Sequence, residues 1–368
     1  MSYLGPKVHI DLHQLKKNYQ IVKKEVGEIP IMATVKANAY GHGAVQVSKA
    51  LEKEGVRYLA VFTIDEGIEL RDAGIKTDIF IYAKFDPKRI EEASKYNLTL
   101  NISSFNDLKA LKAYDRKPLK VHLKIDTGMT RLGVPLDQAE VFLKEANQIE
   151  SNELEGLYSH FATADEGDLS YANSQLSKFN EVVKIAKKLD IYPTFIHCSN
   201  SGAILNVKES RFNMVRAGML LYGAFPSDEV PQELPIKPVM TFTAPVVEIR
   251  DVKAGTHISY GGVYTTKSDT RIAVVQAGFA DGVPRPWYID GFVKFKDQNF
   301  KITGRICMDQ LMIDIGSADI QYGDEVLIFG SNEHGSIDIN HIAKKIDSTS
   351  YVLVTAIGIR PKRIYKID

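Results

Sequence analysis

The amino-acid sequence predicts an α/β protein, with a (β/α)8 TIM-type barrel over residues 1–230 and a smaller, mainly-β domain over 231–368. Three observations carry that prediction. Short apolar runs alternate with helix-like segments from Ile31 to Met219. A stretch holding four prolines, FPSDEVPQELPIKP, follows Ala224 and reads as a linker. Beyond it, strand patterns are separated by Gly and Asp turns.

The apolar runs, in order, are IMATV, YLAVF, DIFIY, LTLNI, KVHLKI, EGLYSHF, TFIHC and NMVRAG, which makes eight. Between them lie segments of helical periodicity, among them AVQVSKALEKEG, DEGIELRDAG, PKRIEEASKY and QLSKFNEVVKIAKKL. Thr63 and Glu66 have capping-box spacing at the start of the second of these. Parallel strands need crossovers, and helices supply them. Strands covered on both faces are near-continuously apolar, as most of these runs are. Eight such units close naturally into a barrel. A doubly wound open sheet is the alternative, and it more often has fewer strands. The second domain is built from TFTAPVVEIRDV, RIAVVQAGF, FVKFK, FKITGRI, LMIDIG and DEVLIFG, with one helical interruption at INHIAKKI.

Lys+Arg and Asp+Glu number 46 each, so no net charge points to nucleic acid or an anionic membrane. The basic cluster RPKR at Arg360–Arg363 reads as a solvated tail strand. Cys198 and Cys307 are the only cysteines and neither has a CxxC partner, so no disulfide framework or metal site is expected. The first residues lack an apolar core of signal-peptide length, and no run is long enough to span a bilayer. The expectation is a cytoplasmic protein.

In a barrel of this class the chemistry sits at the C-terminal ends of the strands and in the loops after them. There the sequence places Lys36, Tyr40 and His42 after the first strand. His122, Lys124, Asp126 and Arg131 lie on and after the fifth, and His160 after the sixth. His197, Asn200 and Ser201 follow the seventh, and Arg216 and Gly218 the eighth. A rim of His, Lys and Arg suits an anionic ligand. A lysine near a hydrophobic wall and other cations loses affinity for its proton and can attack an aldehyde. Taken alone, Lys36 reads as a lysine snorkelling from the rim, and His122 as a hydrogen-bonded core histidine.

VKANAYGHG around Lys36 resembles the cofactor-lysine motif of the alanine racemases. HLKIDTGMTRLG, GLYSHFATAD, HCSNSGA, FNMVRAGMLLYG, ISYGGVY, AGFADGVPR and GRICMDQLMID match that family in order along essentially the whole chain. The resemblance implies an isomerase that uses pyridoxal 5'-phosphate to interconvert L- and D-alanine. Lys36 would hold the cofactor. Tyr40, Ser201, Gly218 and Met219 would bind its phosphate, with Asn200 beside them, and Arg216 would face the pyridine nitrogen with His197 behind it. Arg131 and Met308 would hold the substrate, Met308 through its backbone and with Asp309 next to it. Tyr260 would be the second base, opposite Lys36. A tyrosine can serve so when cations lower its pKa from about 10, and His160 and Arg216 are the candidates. Lys124 would carry a carbamate that orients Arg131, or remain an ordinary lysine paired with Asp126. The family works as a homodimer with shared sites, Tyr260 and Cys307–Asp309 being contributed to the partner. D-alanine would feed peptidoglycan synthesis.

Phe279 and Ile359 stand where members of the family commonly carry tyrosine. Two missing hydroxyls make the substrate entrance less polar and bear on the strictness of selection for alanine. The competing functions are a broader amino-acid racemase, a barrel-fold decarboxylase and a non-catalytic carrier of the cofactor. A decarboxylase would carry a CESGD-like motif where CMDQ stands, and a carrier would lack the second domain.

Overall fold

The structure is a computed structural model that describes residues 4–114, 116–149 and 153–367. It separates into two compact units. One runs from Leu15 to Ala39 and from Ala44 to Lys237. The other joins the chain through Gln14, the short stretch Tyr40–Gly43, and everything from Pro238 onward.

The larger unit holds all eight expected strands. They lie in the order Val215–Ala217, Ile31–Thr34, Tyr58–Val61, Asp78–Ile81, Leu98–Ile102, Lys120–Asp126, Glu153–Tyr158 and Phe195–His197. Every pairing along that path is parallel. The seam between the last strand and the first is bridged by irregular backbone bonds, Arg216 N–H to Ser199 O at 2.9 Å and Asn213 N–H to Ile196 O at 3.4 Å. The strands are buried along nearly their whole length, as strands with helices outside and side chains inside must be. Met32, Tyr58, Ala60, Phe80, Tyr158, Phe195 and Met214 pack into one cluster. The expected capping box forms: the Thr63 side chain accepts from Glu66 N–H and Glu66 reaches back to Thr63 N–H.

The second unit is a sheet ordered Gln298–Lys301, Phe292–Phe295, Glu325–Asn332, Met240–Val252, Lys7–Asp11, Lys362–Lys366. Met240–Val252 is long enough to serve two partners. Its first half pairs with Glu325–Asn332, and past a bulge at Val246–Glu248 its second half pairs with Thr270–Val275. The chain's first strand, Lys7–Asp11, fits between Met240–Val252 and Lys362–Lys366. A division into two sequential blocks does not contain this arrangement. KVHID is too short and too polar to announce which sheet it joins.

Two other readings change. RPKR is not a solvated tail. Arg363 donates to the carbonyls of Gly41, Ile357 and Gly358, and Arg360 pairs with Asp281 and Asp309. A second helix, Ser350–Thr355, follows the expected one at Ile339–Lys345. Its sequence SYVLVT is rich in β-branched residues, and packing of Leu353 and Val354 overrides that local preference. Among the described residues, no helix is long and apolar enough to cross a membrane, and no His, Cys, Asp and Glu cluster could hold a metal ion.

Candidate active site at the barrel mouth

Lys36 stands where the first barrel strand ends, and the four residues after it take a conformation that L-amino acids avoid. Ala37, Asn38, Ala39 and Tyr40 have φ of 52°, 52°, 53° and 51°, a full left-handed turn without a glycine. Such a turn costs about 1–2 kcal/mol per residue, so the surroundings must hold it. Glu66 Oε1 accepts from Ala37 N–H at 2.6 Å, and its other oxygen accepts from Phe62 N–H at 2.7 Å. Ala39 N–H reaches Val35 O at 2.8 Å, and Asn38 Oδ1 accepts from Ala44 N–H at 2.8 Å. Gly41 closes the turn at φ 79°, and a Cβ there would sit 2.1 Å from Val354 O. Spacing revealed the cap on Thr63, but nothing local revealed that Glu66 also reaches Ala37.

The cations of the rim act on one another. Burial lowers the Lys36 pKa and Arg131 lowers it further, while Glu66 partly opposes them. Burial, Arg131 and Arg216 bring Lys124 down to about 8 against the pull of Asp126. His160 is held well below its ordinary value by burial, then by Arg216, Arg131, Lys124 and Lys36. It is therefore neutral, and its Nδ1 accepts from Arg216 at 2.9 Å. An imidazole in that state adds no positive charge to lower a tyrosine's pKa. Tyrosine rings wall this group. Lys36 Nζ lies 5.8 Å from the Tyr82 ring centroid, Lys124 Nζ 5.4 Å from that of Tyr158, and Arg216 Cζ 5.5 Å from that of Tyr158. Neither Tyr82 nor Tyr158 stands out in the sequence, where each reads as an ordinary strand aromatic.

Arg216 is buried and held from its terminal nitrogens. Nη1 donates to His197 Nδ1 at 2.7 Å and to His197 O at 3.2 Å. Nη2 faces Ser159 O at 2.9 Å, His160 Nδ1 at 2.9 Å and Cys198 O at 3.0 Å. Among the described residues none of these acceptors falls to Nε, so the guanidinium keeps one N–H for a ligand. His197 stacks on Tyr158 with centroids 4.9 Å apart.

Ser201 and Gly218 come together, Gly218 N–H donating to Ser201 Oγ at 3.0 Å. Asn200 caps the helix Ser201–Asn206 by accepting from Ala203 N–H, and Met219 opens the short helix Met219–Tyr222. Asp126 turns its carboxylate to Gly128 and Thr130 N–H groups. His42 is buried with Nδ1 2.9 Å from Tyr40 O. Burial pushes the Cys198 thiol up to about 12, the state of an inert packing residue.

In the second unit, Tyr260 and Met308 are 66% and 55% exposed. Tyr260 follows Ser259, whose φ of 63° turns the chain outward, and Ser259 Oγ anchors to Arg305 O at 2.6 Å. The Cys307 and Met308 carbonyls accept from Phe279 and Ala280 N–H groups, and Asp309 pairs with Arg360 at 2.8 Å.

Comparison with known proteins matches this arrangement closely. The family model for the alanine racemase N-terminal domain covers residues 10–226, and that for the alanine racemase C-terminal domain covers 239–365. Alanine racemase from Halothermothrix orenii is 40% identical over 97% of this chain and 96% of its own. Alanine racemase 2 from Caldanaerobacter subterraneus is 38% identical over 98% and 94%. Among solved structures, alanine racemase from Clostridium difficile superposes with a TM-score of 0.94 at 36% identity, covering 100% of this chain and 97% of that one. Alanine racemase from Bacillus anthracis with bound L-Ala-P gives 0.94 at 33% identity, covering 100% and 96%.

Proposed function

The chain belongs to the alanine racemase family and is an isomerase that interconverts L- and D-alanine, and we propose that it does so with pyridoxal 5'-phosphate and two bases, Lys36 and Tyr260. The observation that carries this reading is the depressed amine of Lys36 at a strand end among Arg131, Lys124 and Arg216.

The donor set fits that cofactor. An amine whose pKa is lowered by burial is suited to capture an aldehyde. Arg216 retains an Nε–H for a ring nitrogen, and Ser201 with the Gly218 backbone offers donors for a phosphate, with Asn200 and Met219 beside them in the sequence and Tyr40 in the turn after Lys36. Bound there, the group supplies a carbonyl for amine exchange and a ring that draws electrons from the α-carbon.

The protein's own part is proton traffic and orientation. Arg131 pairs with the substrate carboxylate, and the backbone at Met308 completes its binding. Lys36 Nζ takes the α-proton on one face and Tyr260 Oη returns one on the other, so the configuration inverts. Arginine stays protonated, so Arg216 donates to a ring nitrogen without giving up its proton. His160 and His197 hold the guanidinium in place. Lys124 stands beside Arg131 electrostatically, and an amine with a pKa near 8 is receptive to a carbamate that would steer Arg131. Tyr260 and the Cys307–Asp309 stretch serve a second copy of the chain in a homodimer. Their exposure in a single chain supports that reading.

The test is direct. Purified protein is expected to absorb in the visible range and to exchange the α-hydrogen of L-alanine in deuterated water while D-alanine accumulates. Absence of the band together with absence of exchange would reject the reading. Exchange of larger amino acids at a comparable rate would favour a broader racemase, toward which Phe279 and Ile359 lean.

A further inference from the structure

Behind Arg216, inside the barrel, runs a line of polar groups that the reaction outlined above does not use. His197 Nε2 lies 3.0 Å from His122 Nδ1, and His122 Nε2 lies 3.4 Å from Glu155 Oε2. Glu155 also accepts from the Tyr58 hydroxyl, which in turn is 2.8 Å from Thr99 Oγ1. His122 and His197 are fully buried, Glu155 is 3% exposed, and Phe80 stacks on the His122 ring at 4.7 Å. A buried carboxylate inside a barrel is costly unless it has work or partners.

The hydrogen-bond chemistry leaves one proton arrangement. A guanidinium has donors only, so His197 Nδ1, 2.7 Å from Arg216 Nη1, must accept. An imidazole carries at least one proton, so that of His197 sits on Nε2 and points at His122 Nδ1. That nitrogen must accept in turn, which places the His122 proton on Nε2, directed at Glu155. Every bond in the line therefore donates in the same direction, from the cation at the mouth to the carboxylate deep in the barrel. Glu155 can end it because an ionised carboxylate only accepts. Burial pushes its pKa up, but the bonds from His122 and Tyr58 and the nearby Lys120 outweigh that and bring it to about 2.

We propose that Glu155 is a positioning residue for Arg216, acting through His122 and His197 to secure, from the far end, the single direction of hydrogen bonding that the Arg216 donor sets. That direction keeps the His197 lone pair on Arg216 Nη1, keeps both imidazoles neutral, and holds the guanidinium by its terminal nitrogens. Lose the carboxylate, and His122 can carry its proton on either nitrogen. The His197 Nε2–H still favours a proton on His122 Nε2, and the fraction of molecules carrying it on Nδ1 would set two donors against each other at His197. The inference rests on the proposed role of Arg216 at the cofactor ring.

The experiment is nitrogen NMR on cofactor-loaded protein labelled with ¹⁵N-histidine. In the wild type, His122 and His197 are expected to show the Nε2–H tautomer from pH 6 to 9. Glu155→Gln keeps an acceptor oxygen and should retain that pattern. Glu155→Leu should give mixed tautomers at His122 and a displaced His197 Nδ1 signal. Its kcat should fall about 10-fold or more, as when a carboxylate orienting a functional histidine is removed, with the alanine KM within about twofold. A proton on His122 Nδ1 in the wild type overturns the proposal, and that spectrum needs no variant that folds. An unchanged His197 signal in Glu155→Leu overturns it as well. A wild type that racemises nothing would sink the proposed function while leaving the tautomer result standing, so the two failures are separable.

Discussion

The barrel unit and the β unit treat their reactive groups in opposite ways. In the barrel, burial and neighbouring cations lower the pKa values of Lys36, Lys124, His160 and His197, and the rings of Tyr82 and Tyr158 lie against the lysines and Arg216. In the β unit, Tyr260 and Met308 lie on the surface, as do Val263, Phe279 and Ile359. Ile359 is 95% exposed. The barrel half is tuned before anything binds. The β half holds its groups out at the surface, which is how a group should look if its environment arrives with a second chain.

The largest expected effect is on the tuned half. Lys36→Ala should remove the visible band and cut racemisation by about 10⁴-fold or more, since both amine capture and one base are lost; spectrophotometry and an alanine assay check it. Next comes the β half. Tyr260→Phe should cut turnover by about 10²–10⁴-fold. Its decisive form is a mixture of Lys36→Ala and Tyr260→Phe chains, unfolded and refolded together. Random pairing should restore about a quarter of wild-type activity, because each mixed dimer keeps one intact site. No recovery would mean that each chain works alone, and the contrast between the halves would lose its meaning.

A smaller effect concerns the frame that presents Tyr260. Arg360→Ala leaves the buried carboxylate of Asp281 without its ion partner and frees Asp309. Because Arg360 is half-exposed, the loss should be about 1–2 kcal/mol in a urea titration. The smallest is a pH effect in the barrel. Lys124 has a folded-state value of about 8, below the ordinary 10.5. Between those values the unfolded chain binds the extra proton, so stability should rise as pH climbs from about 8 toward 10.5. Lys124→Met should flatten that rise, and denaturation midpoints across the range measure it.

Legibility followed locality. Barrel strands announce themselves because burial on both faces leaves continuous apolar runs, and the rim residues because loops after such strands carry polar side chains. Lys36, Arg131, His160, His197 and Arg216 were therefore visible as a set. What stayed hidden depends on distant partners. Tyr82 and Tyr158 look like any strand tyrosine until the barrel turns them toward the lysines. Glu155 reads as the polar start of a strand, and only the closed barrel brings it to His122. Glu66 reads as a cap and is also a clamp on Ala37. The N-terminal strand had no local mark of its destination, because its pairing is with residues more than two hundred positions away.

The left-handed turn after Lys36 runs into a stretch whose hold comes from far along the chain. Gly41 O, at its end, is held by Arg363 Nε at 2.8 Å, and a side chain at Gly43 would collide with Tyr365. The stretch Tyr40–Gly43 is thus fastened by a strand more than three hundred positions further along, so shortening the Arg363 side chain should loosen it while the bonds of Ala37 and Ala39 to Glu66 and Val35 remain.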